Sequence, residues 1–146
     1  MRFDEGKIDL SLVPSSALRA AYPGGDEIDW MVLEFFIAAR DGHIQTFNPE
    51  EQMELLRRAV PVLRKGAEKY APWNWAKGMN WSKIWNPGVR HCLWLPNRGP
   101  IDPDLGSMHS QNAACNVLFL QHYEAHKHYH QFDDIIQHEE LFGGKR

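Results

Sequence analysis

The segment KYAPWNWAKGMNW, residues 69–81, sets three tryptophans and a tyrosine among two lysines and two asparagines. Lys69 and Lys77 suit phosphate oxygens and Asn74 suits the polar edge of a heterocycle. Tyr70, Trp73 or Trp75 could stack on a base, an interaction worth on the order of 1–3 kcal/mol per base. The structural alternative is that the rings staple a loop to a core while the lysines solvate it. Arg90 and His91 are adjacent, with Asn86 four residues before Arg90, so Asn86 and Arg90 share a helix face. A buried arginine there needs an anion, either a phosphate or a carboxylate such as Asp102 or Asp104. His109, Asn112 and Asn116 recur at spacings of three and four and occupy one helix face beside Ala113, Val117 and Leu120. Polar groups on so apolar a helix form either an internal hydrogen-bond network or the lining of a polar pocket. In HYEAHKHYHQFDD, His122, His126 and His130 stand four apart, a metal-capable spacing. No structural zinc pattern completes it, and a solvated helix end is the plainer reading. The chain shows no nucleophile triad, phosphate-cradling glycine loop, H-E-x-x-H or paired-cysteine signature.

These groups need elements to carry them. RFDEGKIDLSLVPSSALRAAYPGG reads as an extended arm and a short helical turn begun at Ser15 or Ser16. Residues 26–40 put acids in a first turn and Arg40 in a last one, which suits a helix dipole. Phe35 and Phe36 make that helix apolar nearly all round, so it is either central or in contact with another subunit. Asn48-Pro49-Glu50-Glu51 is a helix start. Met53, Leu56, Val60, Leu63 and Ala67 give the helix that follows an apolar face, and Pro61 must kink or divide it. Another helix is expected from about Pro87 to Pro96, a long one over roughly 106–127, and one short helix in the tail QFDDIIQHEELFGGKR. No strand pattern stands out, so the fold expected is all-α, a bundle of four or five helices with an aromatic loop.

Composition narrows the partners. The 146 residues suit one domain with a real core. A formal charge of -3 argues against binding a nucleic-acid polymer, yet leaves room for a small anion in a locally basic pocket. Cys92 and Cys115 match no metal or redox spacing and read as free buried thiols of a reducing cytoplasm. The charged N-terminus has no apolar signal core, and no run approaches the length of a membrane span.

Taken in order, RFDEGK, LSLVP, LRKGAEKYAPWNWAKGMNWS, VRH and IDPDLGSMHSQNAACNVLFLQHYE resemble the phage dATP/dGTP diphosphohydrolase N-terminal family, itself similar to the all-α MazG-like nucleoside triphosphate pyrophosphohydrolases. The resemblance covers residues 2–18 and about 63–124 of a single 1–146 domain, leaving 22–50 as an insertion or oligomerisation helix. It implies cleavage of a purine deoxynucleoside triphosphate between its α- and β-phosphates, with Mg²⁺ or Mn²⁺ held by carboxylates. Position by position, it implies nucleotide contacts for Lys69, Tyr70, Asn74, Trp75, Lys77, Arg90, His91 and Asn116; Asn112, on the same polar face as Asn116, is read as a further nucleotide contact. It implies catalytic roles for Asp102 and His109, and metal ligation for Asp102. A homo-oligomer acting in the cytoplasm of a phage-infected host also follows from the resemblance.

The chain departs from the family pattern at three places. Gly99 replaces the glutamate of an E-x-x-D pair with Asp102, Asn86 replaces an aspartate four before Arg90, and Asn112 stands where a histidine is common. Asp102, Asp104, Glu51, Glu54 and Glu68 remain as candidate ligands. Two readings follow. One is a metal-dependent pyrophosphohydrolase with a rearranged carboxylate set. The other is a catalytically degenerate phage protein, with no cofactor, that binds and sequesters a purine nucleotide or a nucleotide-derived defence signal. Arg98 would then help to neutralise phosphate without a metal.

Overall fold

A computed structural model describes residues 7–95 and 98–135. The first residues of the arm, Pro96, and the expected short helix of the tail beyond residue 135 lie outside this range. The elements are α1 (Ser15–Ala20), α2 (Glu27–Arg40), α3 (Pro49–Lys69), α4 (Ser82–Cys92) and α5 (His109–Ala125), with 3₁₀ turns at Asn74–Lys77 and Lys127–Phe132. Among the described residues there is no strand, and one isolated bridge pairs Ile101 with Met108. The fold is all-α. Helix α5 is central, with α3 and α4 packed along it and α2 lying across α4 and α5.

Two helices begin where local sequence dictates. Asp26 Oδ1 accepts the Asp29 amide at 2.9 Å and Asp29 returns the bond to the Asp26 amide at 3.0 Å. Asn48 and Glu51 do the same at the start of α3. Each such cap stabilises its helix by about 1 kcal/mol. Arg58 then ties α3 to the start of α2 through Asp26 at 2.6 Å and Asp29 at 2.8 Å.

The all-round apolar helix α2 is central. Leu33, Phe35 and Phe36 are fully buried, and the Phe36 carbonyl accepts the Trp85 indole N–H at 2.7 Å. Gly88 lets α4 approach so closely that a Cβ there would run into the Phe36 ring.

Four expectations need correction. Helix α4 starts at Ser82 rather than near Pro87, because Asp134 accepts both the Ser82 amide at 2.7 Å and its hydroxyl at 2.6 Å. Pro61 does not divide α3; it lies on the exposed side, where its missing N–H faces water. The apolar series on α3 is also not its buried face. Leu55 and the small Ala59 seat that helix on the core, whereas Met53, Leu56 and Val60 remain 48%, 39% and 46% exposed. Only Leu63 and Ala67 of the series turn inward, and they line a cavity. Helix α5 begins three residues later than expected, since Met108 is still engaged in the bridge and the His109 amide donates to Pro100 O at 2.8 Å.

Candidate functional site

A cavity of about 490 Å³ opens between α3, the aromatic loop, α4 and α5, within the size range of small-molecule sites. Val62, Leu63, Gly66 and Ala67 of α3 line it, together with Trp75, Met79 and Phe119. Asn74, Lys83, His91, Asn112 and Asn116 add polar groups. The walls are therefore mostly apolar and aromatic with a few placed polar edges, which suits a flat heterocycle better than a bare anion.

The aromatic loop is pinned from below. Trp75 stacks on Phe119 with centroids 4.6 Å apart, and its carbonyl accepts the Tyr123 hydroxyl at 2.6 Å. Ala76 O accepts the Tyr129 hydroxyl, also at 2.6 Å. Gly78, at φ 94°, passes so near Phe132 and Tyr129 that a side chain would be crowded. Trp81 is a staple: it is fully buried and stacks on Tyr123. Trp73 is not one, since it is 70% exposed, holds a left-handed φ of 65°, and stands at the cavity rim with Tyr70.

The expected nucleotide contacts therefore separate. Tyr70, Asn74, Trp75, His91, Asn112 and Asn116 line the cavity. Lys69 and Lys77 do not; both are exposed, and Lys69 Nζ lies 5.2 Å from the Tyr70 ring. Lys83, which sequence reasoning missed, supplies a lining cation instead. It lies one turn before Pro87 on α4, so placing the helix start correctly would have brought it in.

Arg90 is engaged elsewhere. It donates to Ile8 O at 3.0 Å, while Asn86 Oδ1 on the same face accepts the Leu10 amide at 2.8 Å. These two residues hold the N-terminal arm. Arg40, itself almost fully buried, joins them by donating to Leu10 O and Ser11 O at 3.2 and 3.1 Å. Its guanidinium lies 5.2 Å from the Trp85 ring.

Behind the cavity, His91, Asp102 and His109 converge. The two Nδ1 atoms are 3.0 Å apart, and Asp102 Oδ2 lies 3.6 Å from His91 Nδ1 and 3.8 Å from His109 Nδ1. These residues form a group able to hold a metal ion. His91 comes from the last turn of α4, His109 opens α5, and Asp102 sits in the turn between them. The turn is fixed by the Asp102 amide donating to Ser107 O at 2.9 Å, and Asp102 Oδ1 accepts the amides of Asp104 and Leu105 at 2.8 and 3.0 Å. Burial pushes the His91 pKa down to about 4; His109 and Arg90 add to this and Asp102 opposes it. Burial also lowers that of His109, again against Asp102. Burial thus disfavours the charged form of both rings.

The sequence singled out each member of this group but joined only Asp102 to a metal. The residues fall on two helices and a turn, so no periodicity links them. The other candidate ligands lie outside it: Glu51 caps α3, Glu54 faces Arg57 and Arg58, and Glu68 and Asp104 are exposed. The polar stripe of α5 serves both readings at once. Asn116 Nδ2 donates to Ile84 O at 3.2 Å and Asn112 Oδ1 accepts the Ser107 hydroxyl at 2.9 Å, yet Asn112 Nδ2 is buried with no partner. The histidine run is largely exposed, with His126 and His130 bonded to the carbonyls of His122 and Glu124.

Fold and site together define an all-α protein with a small-molecule cavity backed by a metal-capable cluster. The chain belongs to the family described as dATP/dGTP diphosphohydrolase, N-terminal, which it matches over residues 52–135. No curated protein and no solved structure matches it. The matched span includes the aromatic loop, α4, α5 and all three residues of the cluster.

Proposed function

We propose that the cavity binds a purine nucleotide, and that the reaction to test is cleavage between the α- and β-phosphates to a monophosphate and pyrophosphate. The observation that carries this reading is the aromatic cavity itself, lined in part by Asn112, whose buried Nδ2 has no hydrogen-bond partner. A buried amide left unpaired costs about 1–3 kcal/mol, and a purine offers ring nitrogens, with a carbonyl in addition on guanine, as acceptors. Trp75 and Phe119 supply the flat apolar surface, phosphates belong toward the His91 end of the cavity, and Lys83, about two helical turns from His91 on α4, is a separate cation of the lining.

Membership of a family named for dATP and dGTP hydrolysis supports the substrate class. Similarity to the MazG-like enzymes implies Mg²⁺ or Mn²⁺. Two imidazoles and one carboxylate are a poor match to the oxygen-rich shell those ions favour. His109 and Asp102 keep their proposed place at the reacting end.

A second reading has its own observation. Where the family pattern expects carboxylates, Asn86 is occupied in holding the arm and Gly99 has no side chain. A protein that binds and sequesters a nucleotide or a nucleotide-derived defence signal needs neither carboxylate. Residues 1–146 are taken as one domain in both readings, with 22–50 an addition to the matched region, which starts at Gln52. The action is placed in the cytoplasm of a phage-infected host. No helix of the described residues is long and apolar enough to cross a membrane. A homo-oligomer would form through the exposed Met53, Leu56 and Val60 of α3.

Incubation with dATP, dGTP and other nucleotides plus divalent metal, following pyrophosphate release beside calorimetric binding, separates the readings. Turnover lost in Asp102→Asn supports the hydrolase. Tight metal-independent binding without turnover refutes it in favour of sequestration. If Asn112→Leu and Trp75→Ala leave binding untouched, the cavity is the wrong site.

A further inference from the structure

We propose that His91, Asp102 and His109 form a site for a borderline transition dication of the Zn²⁺ class, in preference to Mg²⁺. The geometry is the first support. With separations of 3.0, 3.6 and 3.8 Å between the three ligand atoms, a point equidistant from all of them lies about 2 Å from each. That is the length of a Zn–N or Zn–O bond, about 2.0–2.2 Å.

A hydrogen-bonded trio explains the arrangement less well. Asp102 Oδ2 lies beyond hydrogen-bond reach of both Nδ1 atoms, at 3.6 and 3.8 Å, since such bonds close to about 2.7–3.2 Å. The two Nδ1 atoms face each other at 3.0 Å, so at least one ring must carry its proton there or both lone pairs collide. Without an ion, one ring donates its N–H to the other; a cation would replace that bond, accepting both lone pairs and the carboxylate charge together.

The supporting shell is the second argument. Asp102 Oδ1 is already committed to the amides of Asp104 and Leu105, which orients the carboxylate and leaves Oδ2 for the cluster. The turn that carries Asp102 is closed onto His109 by the bond from the His109 amide to Pro100 O. His109 itself is fully buried. Ligands set on helix ends and a bonded turn are positioned before any ion arrives.

Donor chemistry selects the ion. Neutral imidazole favours Zn²⁺, Fe²⁺ and Ni²⁺, whereas Mg²⁺ demands an octahedral oxygen shell and gives up water reluctantly. Three protein ligands also leave a coordination position open, as in zinc sites that do chemistry. None of this depends on what fills the cavity, so failure of nucleotide binding would leave the inference standing.

The test uses the untagged chain, stripped with chelator and titrated calorimetrically with ZnCl₂, MgCl₂ and MnCl₂. One Zn²⁺ per chain is expected, bound at least about 100-fold more tightly than Mg²⁺. Asp102→Asn should weaken Zn²⁺ at least about tenfold, while His122→Ala and His126→Ala leave that site unchanged. Because ligand variants can unfold, Co²⁺ added to the unmodified chain gives a second reading. Visible ligand-field bands of low coordination number are expected, and they should vanish when equimolar Zn²⁺ is added. Equal affinity for Mg²⁺ and Zn²⁺, or Zn²⁺ binding lost in His126→Ala but intact in Asp102→Asn, would overturn the proposal. So would a purely hexa-aqua-like Co²⁺ spectrum.

Discussion

Adding the same methyl group to two helices, by Gly88→Ala in α4 and Gly66→Ala in α3, is expected to move stability in opposite directions. Alanine favours a helix interior over glycine by about 0.5–1 kcal/mol. At Gly66 the new carbon meets nothing within 4 Å, so that gain is retained. At Gly88 it would lie 2.5 Å from Phe36 Cε1 and nearer still to Cζ. The ring cannot swing aside. Phe36 is fully buried, packs edge-on against Phe35 at 5.5 Å, and its carbonyl holds the Trp85 indole. Overpacking of this kind costs about 1–3 kcal/mol, leaving Gly88→Ala a net loss of up to about 2.5 kcal/mol once the helix gain is subtracted. Urea unfolding followed by far-UV circular dichroism reads both as shifts in midpoint at constant slope. Thermal midpoints should move about 2–4 °C per kcal/mol in a chain of this size. Adding Phe36→Leu to Gly88→Ala should cost less than the two single changes summed. Equal shifts for both glycines, or strict additivity with Phe36→Leu, would refute the close α2–α4 contact.

Other expectations follow from the same contacts. Tyr123→Phe removes the bond to the Trp75 carbonyl, costs about 1 kcal/mol, and should weaken nucleotide binding by loosening the cavity wall. Unchanged stability and affinity would count against that bond. Burial pushes the Cys115 pKa up to about 12 and that of Cys92 higher still, so neither thiol should react with Ellman's reagent at pH 8 until urea is added. Rapid native labelling would contradict this. Burial alone would raise the Asp26 pKa, but the Asp29 amide and Arg58 outweigh it and hold it below the usual carboxylate value. Its contribution to stability is therefore full above about pH 4, its range when unfolded, and lost as pH falls through the lower folded value. Asp26→Asn should flatten part of the acid limb of a stability–pH curve, and an unaltered limb would show that the pair contributes nothing there.

Features decided within three or four residues were legible in the sequence. Asn48-Pro49 and the acids after Asp26 place the starts of α3 and α2 because each cap and its partner are neighbours in the chain. The start of α4 was not legible, since its cap is Asp134, 52 residues away. Periodicity found an apolar face on α3 but cannot say which face is covered; Ala59, too small to signal itself, allows the close approach to the core that decides it. At the site, residue types and their order pointed to the cavity-lining Tyr70, Asn74, Trp75, Asn112 and Asn116. They could not reveal that Asn86 and Arg90, correctly placed on one face, turn toward the arm. Nor could they join His91 and His109 through Asp102, because that junction depends on how a turn folds back between two helices.

The way the arm is held implies an order of events in folding. Its bonds to α4 join residues 76 and 82 apart in the chain, and closing so long a loop costs entropy that no local contact offsets. Asn86 and Arg90 can grip the arm only once they project from a formed α4, and Arg40 only once α2 is in place. Much of the grip falls on main-chain carbonyls and one amide, with the Asp9 carboxylate held beside Asn86 and Arg90 as well. In pulse-labelled hydrogen exchange during refolding, the Leu10 amide should gain protection after those of α5. On this reasoning the arm should be the last element to dock, a latch on a bundle already assembled.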